Sequence, residues 1–65
     1  MEIQINETPT EVPDGTTIAQ LLAQLNKRQH VAVELNMEVV PRREHTDVVL
    51  RAGDRVELVT LVGGG

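Results

Sequence analysis

Residues 17–25 read TIAQLLAQL, and this stretch decides the fold because the spacing of apolar residues changes there from the period of a strand to that of a helix. Thr17 and Gln20 have the spacing of a capping box, in which each side chain meets an otherwise unpaired backbone N–H, so a helix is predicted to begin after Thr17. One apolar stripe at i, i+3, i+4 and i+7 is formed by Ile18, Leu21, Leu22 and Leu25. Such a stripe needs a sheet to cover it.

Two short strands are predicted ahead of this helix. Ile3 and Ile5 alternate with polar residues, which is the period of a strand with one buried face. A turn is predicted at residues 6–9 and a second strand at residues 10–12, where a proline and an Asp-Gly pair stop it. These two strands are predicted to pair as a hairpin.

More strands are predicted after the helix, which polar residues 26–30 bring to an end. Pro41 and the charged residues 42–47 interrupt the strand pattern and leave room for one helical turn. The predicted strands are Val31–Leu35, a short pair at Val39-Val40, Val48–Leu50 and Arg55–Val62.

The last predicted strand, residues 55–62, has apolar residues on both faces, so we expect it in the interior of the sheet. Glu57 is assigned to the outer face, between two residues that face the helix. By alternation, Val59 and Leu61 then share that outer face. This pair is a candidate docking surface for another protein; the alternative is that both are ordinary sheet-forming residues.

A hairpin, a crossing helix and further strands predict an α+β fold, with one main helix packed across a mixed sheet of four to five strands. This order of elements is that of the β-grasp, or ubiquitin-like, fold. With 65 residues the chain holds one domain, predicted at residues 1–62, followed by a flexible glycine tail at residues 63–65. Its core must be aliphatic, because Phe, Tyr and Trp are absent.

Composition argues against several classes of partner. Ten acidic against six basic residues give a net charge of −4, which disfavours nucleic acid and anionic membranes, and no aromatic residue is present to stack on bases. No apolar run approaches the roughly 20 residues that a transmembrane helix needs, and the first residues lack the pattern of a signal peptide. We therefore predict a cytoplasmic protein with no nucleic-acid or membrane partner.

No catalytic constellation is present in the sequence. Cys and Ser are absent, which excludes them as nucleophiles, and Lys27 is the single side-chain amine. His45 lies between Glu44 and Asp47, a spacing that suggests a metal or general-base cluster, but a charged stretch of this kind is usually a solvated loop, and we favour that interpretation. We predict no metal site and no enzyme activity.

The sequence finishes on three glycines directly after its last predicted strand. Glycine has no Cβ, so such a tail fits a narrow enzyme channel that excludes side chains, and a terminal carboxylate on it is unhindered. We therefore predict that the carboxylate of Gly65 is the working group of the protein. The alternative is a frayed end without a role.

Along essentially its whole length, the chain resembles the ThiS family, the sulfur carriers of thiamine biosynthesis. The features that carry the resemblance are Ile3 and Ile5, the helix start Asp14–Ile18, Leu21-Leu22 with Leu25, Val31–Val33, Asn36, Val39–Arg42, the turn Gly53-Asp54 and the glycine end.

This resemblance implies a mechanism. A ThiF-like adenylyltransferase of the E1 class uses ATP to adenylate Gly65, while Gly63 and Gly64 thread its channel and Val59 and Leu61 dock on the partner. Sulfur from cysteine, supplied by a desulfurase as a persulfide, then converts Gly65 to a thiocarboxylate. A ThiG-like thiazole synthase receives that sulfur. The chain is a cosubstrate with no bound cofactor, since ATP is used by the partner.

Other functions remain open from the sequence. The same chemistry would serve molybdopterin synthesis or tRNA thiolation, and a third possibility is conjugation of Gly65 to lysines of other proteins. A passive ubiquitin-like binding module would not use the glycines at all. Arg42 and Arg43 are candidate contacts for acidic partner groups, although exposed basic side chains are usually only solubilising.

Overall fold

The computed structural model describes residues 1–27 and 31–60. These residues form one α-helix and five strands, which confirms the predicted α+β class. The elements in chain order are β1 (Glu2–Ile5), β2 (Thr8–Glu11), α1 (Ile18–Gln24), β3 (Val31–Leu35), β4 (Glu38–Val40), a 3₁₀ turn (Arg42–Glu44) and β5 (Arg55–Thr60). The predicted boundary between domain and tail after Val62 lies outside the described residues and stays a prediction.

The five strands form one mixed sheet in the order β2-β1-β5-β3-β4. β1 and β5 are parallel, whereas the pairs β1–β2, β3–β4 and β3–β5 are antiparallel. The last strand therefore lies at the centre of the sheet, as its apolar residues on both faces predicted. A strand in this position needs hydrogen-bond partners on both sides along its whole length.

The helix begins where its capping box predicted. The Thr17 hydroxyl accepts from the Gln20 backbone N–H at 3.1 Å, and the Gln20 side-chain oxygen accepts from the Thr17 backbone N–H at 3.0 Å. Ile18, Leu21 and Leu22 are buried against the sheet. The fourth stripe residue, Leu25, was predicted to be covered and is instead 37% exposed, because it caps the end of α1 and the chain turns there.

A small aliphatic core joins the helix to the sheet. Its members come from β1, α1, β3, β5 and the segments flanking them, so no single element is stable without the others. The largest fully buried side chains are Ile3, Ile18, Leu21, Leu50, Val33 and Val56.

The first hairpin turn is shorter than predicted. Asn6 and Glu7 both have positive φ, 47° and 71°, as the two central residues of a type I′ turn require. β2 therefore begins at Thr8, and Pro9 lies within it, opposite Gln4. A proline is tolerated there because β2 is an edge strand, and the Gln4 N–H is directed to the Asp54 oxygen on the other side of β1, at 2.9 Å.

The prediction of a strand at Val48–Leu50 was wrong. This segment makes a single bridge, between Val49 and Thr17, and it serves the start of the helix instead of the sheet. The Ile18 N–H donates to the Val48 oxygen at 3.1 Å, and the Leu50 N–H donates to the Thr16 oxygen at 2.8 Å. The first N–H groups of a helix have no partner within it, so a neighbouring chain segment satisfies this one.

The interpretation of the charged stretch 42–47 as a solvated loop was wrong for one residue. His45 is 7% exposed, and its Nε2 lies 3.0 Å from the Val40 oxygen. The backbone explains its position, because the His45 oxygen accepts from the Ala19 N–H at 2.9 Å and so ties the 3₁₀ turn to the helix start. Arg42 and Arg43 are exposed.

Candidate functional site

The central strand β5 leads to the residues predicted to carry the chemistry. On one side it pairs with β3 over the whole interval from Val56 to Thr60. On the other side β1 pairs with only its first two residues, Arg55 and Val56. The second half of β5, nearest the predicted tail, would therefore lack partners on that side if pairing depended on β1 alone.

Asn6 fills part of this gap. Its backbone N–H donates to the Val56 oxygen at 2.9 Å, and its side chain then pairs with Leu58 in place of a further strand residue. The Asn6 Oδ1 accepts from the Leu58 N–H at 2.8 Å, and the Asn6 Nδ2 donates to the Leu58 oxygen at 3.3 Å. The side chain reaches Leu58 because the turn holds Asn6 in the left-handed region, which asparagine tolerates.

Two substitutions separate the effect of the Asn6 side-chain hydrogen bonds from that of its left-handed backbone. Asn6→Gly keeps the left-handed backbone but loses the side-chain bonds, and we expect it to cost about 1 kcal/mol of unfolding free energy. Asn6→Ala loses both and is expected to cost about 2–3 kcal/mol. Urea unfolding followed by far-UV circular dichroism measures both values.

Amide hydrogen exchange gives the local test of the same contact. The Leu58 amide should exchange faster in Asn6→Gly than in the unsubstituted chain by more than the global loss of stability explains, because its acceptor is gone. Equal costs for the two substitutions, or an unchanged Leu58 amide, would contradict this account.

The other end of β5 is held in the same way by the second hairpin. Asn36 has a φ of 51°, and its Oδ1 accepts from the Arg55 N–H at 3.0 Å. Its Nδ2 donates to an Asp54 carboxylate oxygen at 3.1 Å, and the other oxygen of that carboxylate accepts from the Arg51 N–H at 2.8 Å. Two turn asparagines, one in each flanking hairpin, thus form hydrogen bonds with the backbone of the central strand.

Sequence reasoning assigned no role to Asn6 and noted Asn36 only as a point of resemblance. The signal that would have found both is positional: each asparagine directly follows an alternating apolar strand, after Ile5 and after Leu35. Asparagine at the first position of a two-residue hairpin turn indicates positive φ. The sequence does not reveal which strand the side chain then contacts.

The outer face of the sheet contains the described half of the predicted docking pair. Val59 is 53% exposed and lies opposite Ala32 of β3. Val39 of β4 is 70% exposed and lies opposite Glu34, so a second exposed valine shares this face. We call the three apolar residues Val59, Ala32 and Val39 the outer apolar patch. Sequence reasoning missed Val39, although alternation in β3 and β4 would have placed it on this face once the register was known.

The remaining predicted site residues, Leu61, Gly63, Gly64 and Gly65, lie outside the described residues. Their roles, and the docking role of Val59, stay predictions. Over residues 1–27 and 31–60, no group of three or more His, Asp or Glu side chains is arranged to hold a metal ion. No helix in the same part of the chain is long and apolar enough to cross a membrane.

In residues 1–27 and 31–60, one short helix packs on a five-stranded mixed sheet with a parallel β1–β5 pair at its centre, and this arrangement defines the class of β-grasp proteins. The model of the ThiS family matches residues 1–65. The chain belongs to the ThiS family. This confirms the resemblance inferred from the sequence and, with it, the expectation of a small carrier protein in place of a catalyst.

Individual relatives agree with this assignment. The chain is 32% identical over 66 residues to the sulfur carrier protein ThiS of Escherichia coli, a match that covers 100% of both chains. The crystal structure of the thiamine biosynthesis protein ThiS from Geobacter metallireducens is similar with a TM-score of 0.86 at 33% identity, again over 100% of both chains.

A relative of a different kind is much longer. The chain is 35% identical over 66 residues to a thiazole synthase of Paramagnetospirillum magneticum, and the match covers 100% of this chain but 20% of the relative. The chain therefore spans about a fifth of the length of that protein. A region similar to the whole of this chain thus occurs within a protein named for thiazole synthesis.

Proposed function

We propose that this chain is a sulfur carrier for the thiazole of thiamine and that the carboxyl group of Gly65 holds the sulfur. The observation that carries this proposal is the match over full length, to the family model and to the carrier of Escherichia coli. The central position of β5, paired on one side and clamped by asparagine on the other, supports it, because a carrier needs a rigid strand behind its reactive end.

The chemistry needs activation of a poor electrophile. A carboxylate resists nucleophiles because of its charge, so the Gly65 oxygen first attacks the α-phosphorus of ATP and pyrophosphate leaves. A persulfide sulfur then attacks the carbonyl carbon, and AMP leaves with the C–O bonding electrons. A second thiol reduces the resulting acyl disulfide by two electrons and releases the thiocarboxylate. The chain supplies the carboxyl group of Gly65, whose oxygen attacks ATP in the first step, and the partners supply the bound ATP, the persulfide and the reducing thiol.

Three partners follow from this proposal. An E1-like, ThiF-like adenylyltransferase binds ATP and activates Gly65, a cysteine desulfurase supplies the persulfide, and a ThiG-like thiazole synthase accepts the sulfur. The match to a region of a thiazole synthase supports the last of these, because two functions combined in one chain usually act together. The cytoplasmic location stays a prediction.

Intact-mass measurement tests the proposal. The purified chain is incubated with its adenylating enzyme, ATP, a cysteine desulfurase, cysteine and a thiol reductant. We expect the mass to rise by the difference between one sulfur and one oxygen atom, and fragmentation should place the change on Gly65. A mass that does not change, or a change elsewhere in the chain, would overturn the proposal.

The proposed docking role of Val59 gives a separate prediction. Val59→Asp puts a charge into the outer apolar patch and should weaken association with the adenylating enzyme by about 10- to 100-fold, since an unpaired charge is costly to bury. The matched control is Val49→Asp, because Val49 is 51% exposed but lies beside the helix start. Calorimetric titration measures both. Equal losses from the two variants would show that Val59 has no special role.

A further inference from the structure

The register of the sheet places two glutamates directly opposite each other on the outer face. Glu34 of β3 lies across from Glu57 of β5. Like charges in this position repel and destabilise a sheet. In the part of the chain that the structure describes, ion pairs within 4.0 Å are made by the Met1 ammonium, with Glu11 and Asp14, and none of them involves Glu34 or Glu57.

Apolar side chains flank this glutamate pair on one side of the same face, and on the other side Arg55 lies two residues before Glu57 on β5 without an ion pair to it within 4.0 Å. Val59 and Ala32 form the next outer pair along β5 and β3, and Val39 of β4 lies opposite Glu34. Glu34 itself is already partly buried, whereas Glu57 is exposed. A protein that covered the outer apolar patch would therefore also take water away from both carboxylates.

This arrangement sets a condition on the partner. Removing water from two carboxylates without supplying a positive charge costs more than the apolar contact returns, so a neutral or acidic surface is rejected. A guanidinium satisfies the condition best, because its planar set of N–H donors can bridge two carboxylates and its weak hydration suits an apolar setting.

We propose that the Glu34–Glu57 pair selects a protein partner that presents an arginine within an apolar surface, with the guanidinium bridging both carboxylates and the apolar groups covering the outer apolar patch. The partner is identified as the adenylating enzyme, and that identification rests on the proposed function. The repulsion between the glutamates is then a cost to the free carrier that binding relieves.

The test relies on substitutions that should stabilise the free chain and at the same time weaken its binding to the adenylating enzyme. Glu34→Gln and Glu57→Gln should each raise Tm by about 2–5 °C, because either one removes the repulsion, and combining them should add little. Each should weaken binding to the adenylating enzyme by about tenfold, and the double variant by more. Glu57→Lys should raise Tm as well but weaken binding by about 100-fold, since its ammonium repels the arginine.

The matched control is the second glutamate pair of the sheet. Glu2 of β1 lies opposite Glu11 of β2, on the same face of the sheet but toward its β2 edge, away from β3 and β4. Glu2→Gln removes one negative charge from the chain as Glu57→Gln does, so it reports the effect of net charge alone. We expect it to leave the affinity within about twofold of the unsubstituted chain.

Calorimetric titration at low and high salt, with thermal unfolding by circular dichroism, decides the outcome. Weaker binding with a smaller salt dependence in the Glu34 and Glu57 variants alone supports the inference. Unchanged affinity in those variants, equal loss in Glu2→Gln, or no binding by the unsubstituted chain overturns it. The sulfur-carrier proposal is judged separately, because at saturating enzyme the Glu34 and Glu57 variants should still gain sulfur on Gly65.

Discussion

Deletion of Gly65 is expected to abolish thiocarboxylate formation and to leave the domain folded. The deletion moves the terminal carboxyl back by one residue, about 3.3–3.6 Å of extended chain. Reacting atoms need to come within roughly 3–3.5 Å, and a misplacement of only about 1 Å can lower a rate about 100-fold. We expect a loss of at least that size in the intact-mass assay.

Two variants of the preceding residue show whether side-chain exclusion also matters. Gly64→Leu keeps the chain length and the terminal carboxyl but adds a bulky side chain, so it should lose most sulfur loading if the tail enters a narrow channel. Gly64→Ala, the smaller matched change, should retain more. Full loading of Gly64→Leu would contradict the channel while leaving Gly65 as the acceptor.

Deletion of Gly65 also distinguishes a carrier from a passive binding module. The described core has its last fully buried member at Val56, so the Gly65 deletion should keep the Tm of the unsubstituted chain and its affinity for the adenylating enzyme nearly unchanged. A carrier then binds normally and fails to accept sulfur. If the shortened chain were loaded with sulfur at the normal rate, Gly65 would not be the acceptor and the proposed function would be wrong.

Leu21→Ala is expected to have the largest effect on folding. Leu21 is 1% exposed in the middle of the helix stripe, and replacing a buried leucine by alanine costs about 2–5 kcal/mol. A single-domain protein of 65 residues has a total stability of roughly 3–10 kcal/mol. The variant should therefore be largely or partly unfolded at 37 °C.

The lack of aromatic residues decides how the unfolding of these variants is measured. The chain contains no Trp, Tyr or Phe, so unfolding is followed by far-UV circular dichroism instead of intrinsic fluorescence. Leu25→Ala is the matched control, because Leu25 is 37% exposed at the end of the same stripe, and we expect it to cost less than about 1.5 kcal/mol. Similar costs for both leucines would show that Leu21 is not the central contact of the helix.

Much of the fold was accessible from the sequence because its signals are local. The Thr17 and Gln20 capping box involves residues three apart, and the structure forms both of its hydrogen bonds. The central position of β5 was predicted from its apolar residues on both faces and is confirmed by the strand order, although Glu57 and Val59 on its outer face are exposed. The predicted outward direction of Val59 followed from alternation and is confirmed by its exposure.

Two of the errors share one cause, which is a backbone partner distant in sequence. Val48–Leu50 has the composition of a strand but pairs with the helix start, because the Ile18 N–H needs an acceptor outside the helix. His45 has polar neighbours on both sides and is nevertheless buried, because its oxygen serves Ala19. Pro9 looks like a strand terminator, yet it lies in β2, where an edge position makes its missing N–H harmless.

The candidate site divides in the same way. The amino-acid sequence by itself determined that the tail consists of glycines, which lack a Cβ, and that the core is aliphatic. It also determined the spacing of the apolar residues in each element, because that spacing depends only on neighbouring residues. Only the tertiary structure decided that Asn6 bonds to Leu58 and that Glu34 lies opposite Glu57. The residues of these two pairs are 52 and 23 positions apart, and strand register, which brings them together, is set by the packing of all the strands at once.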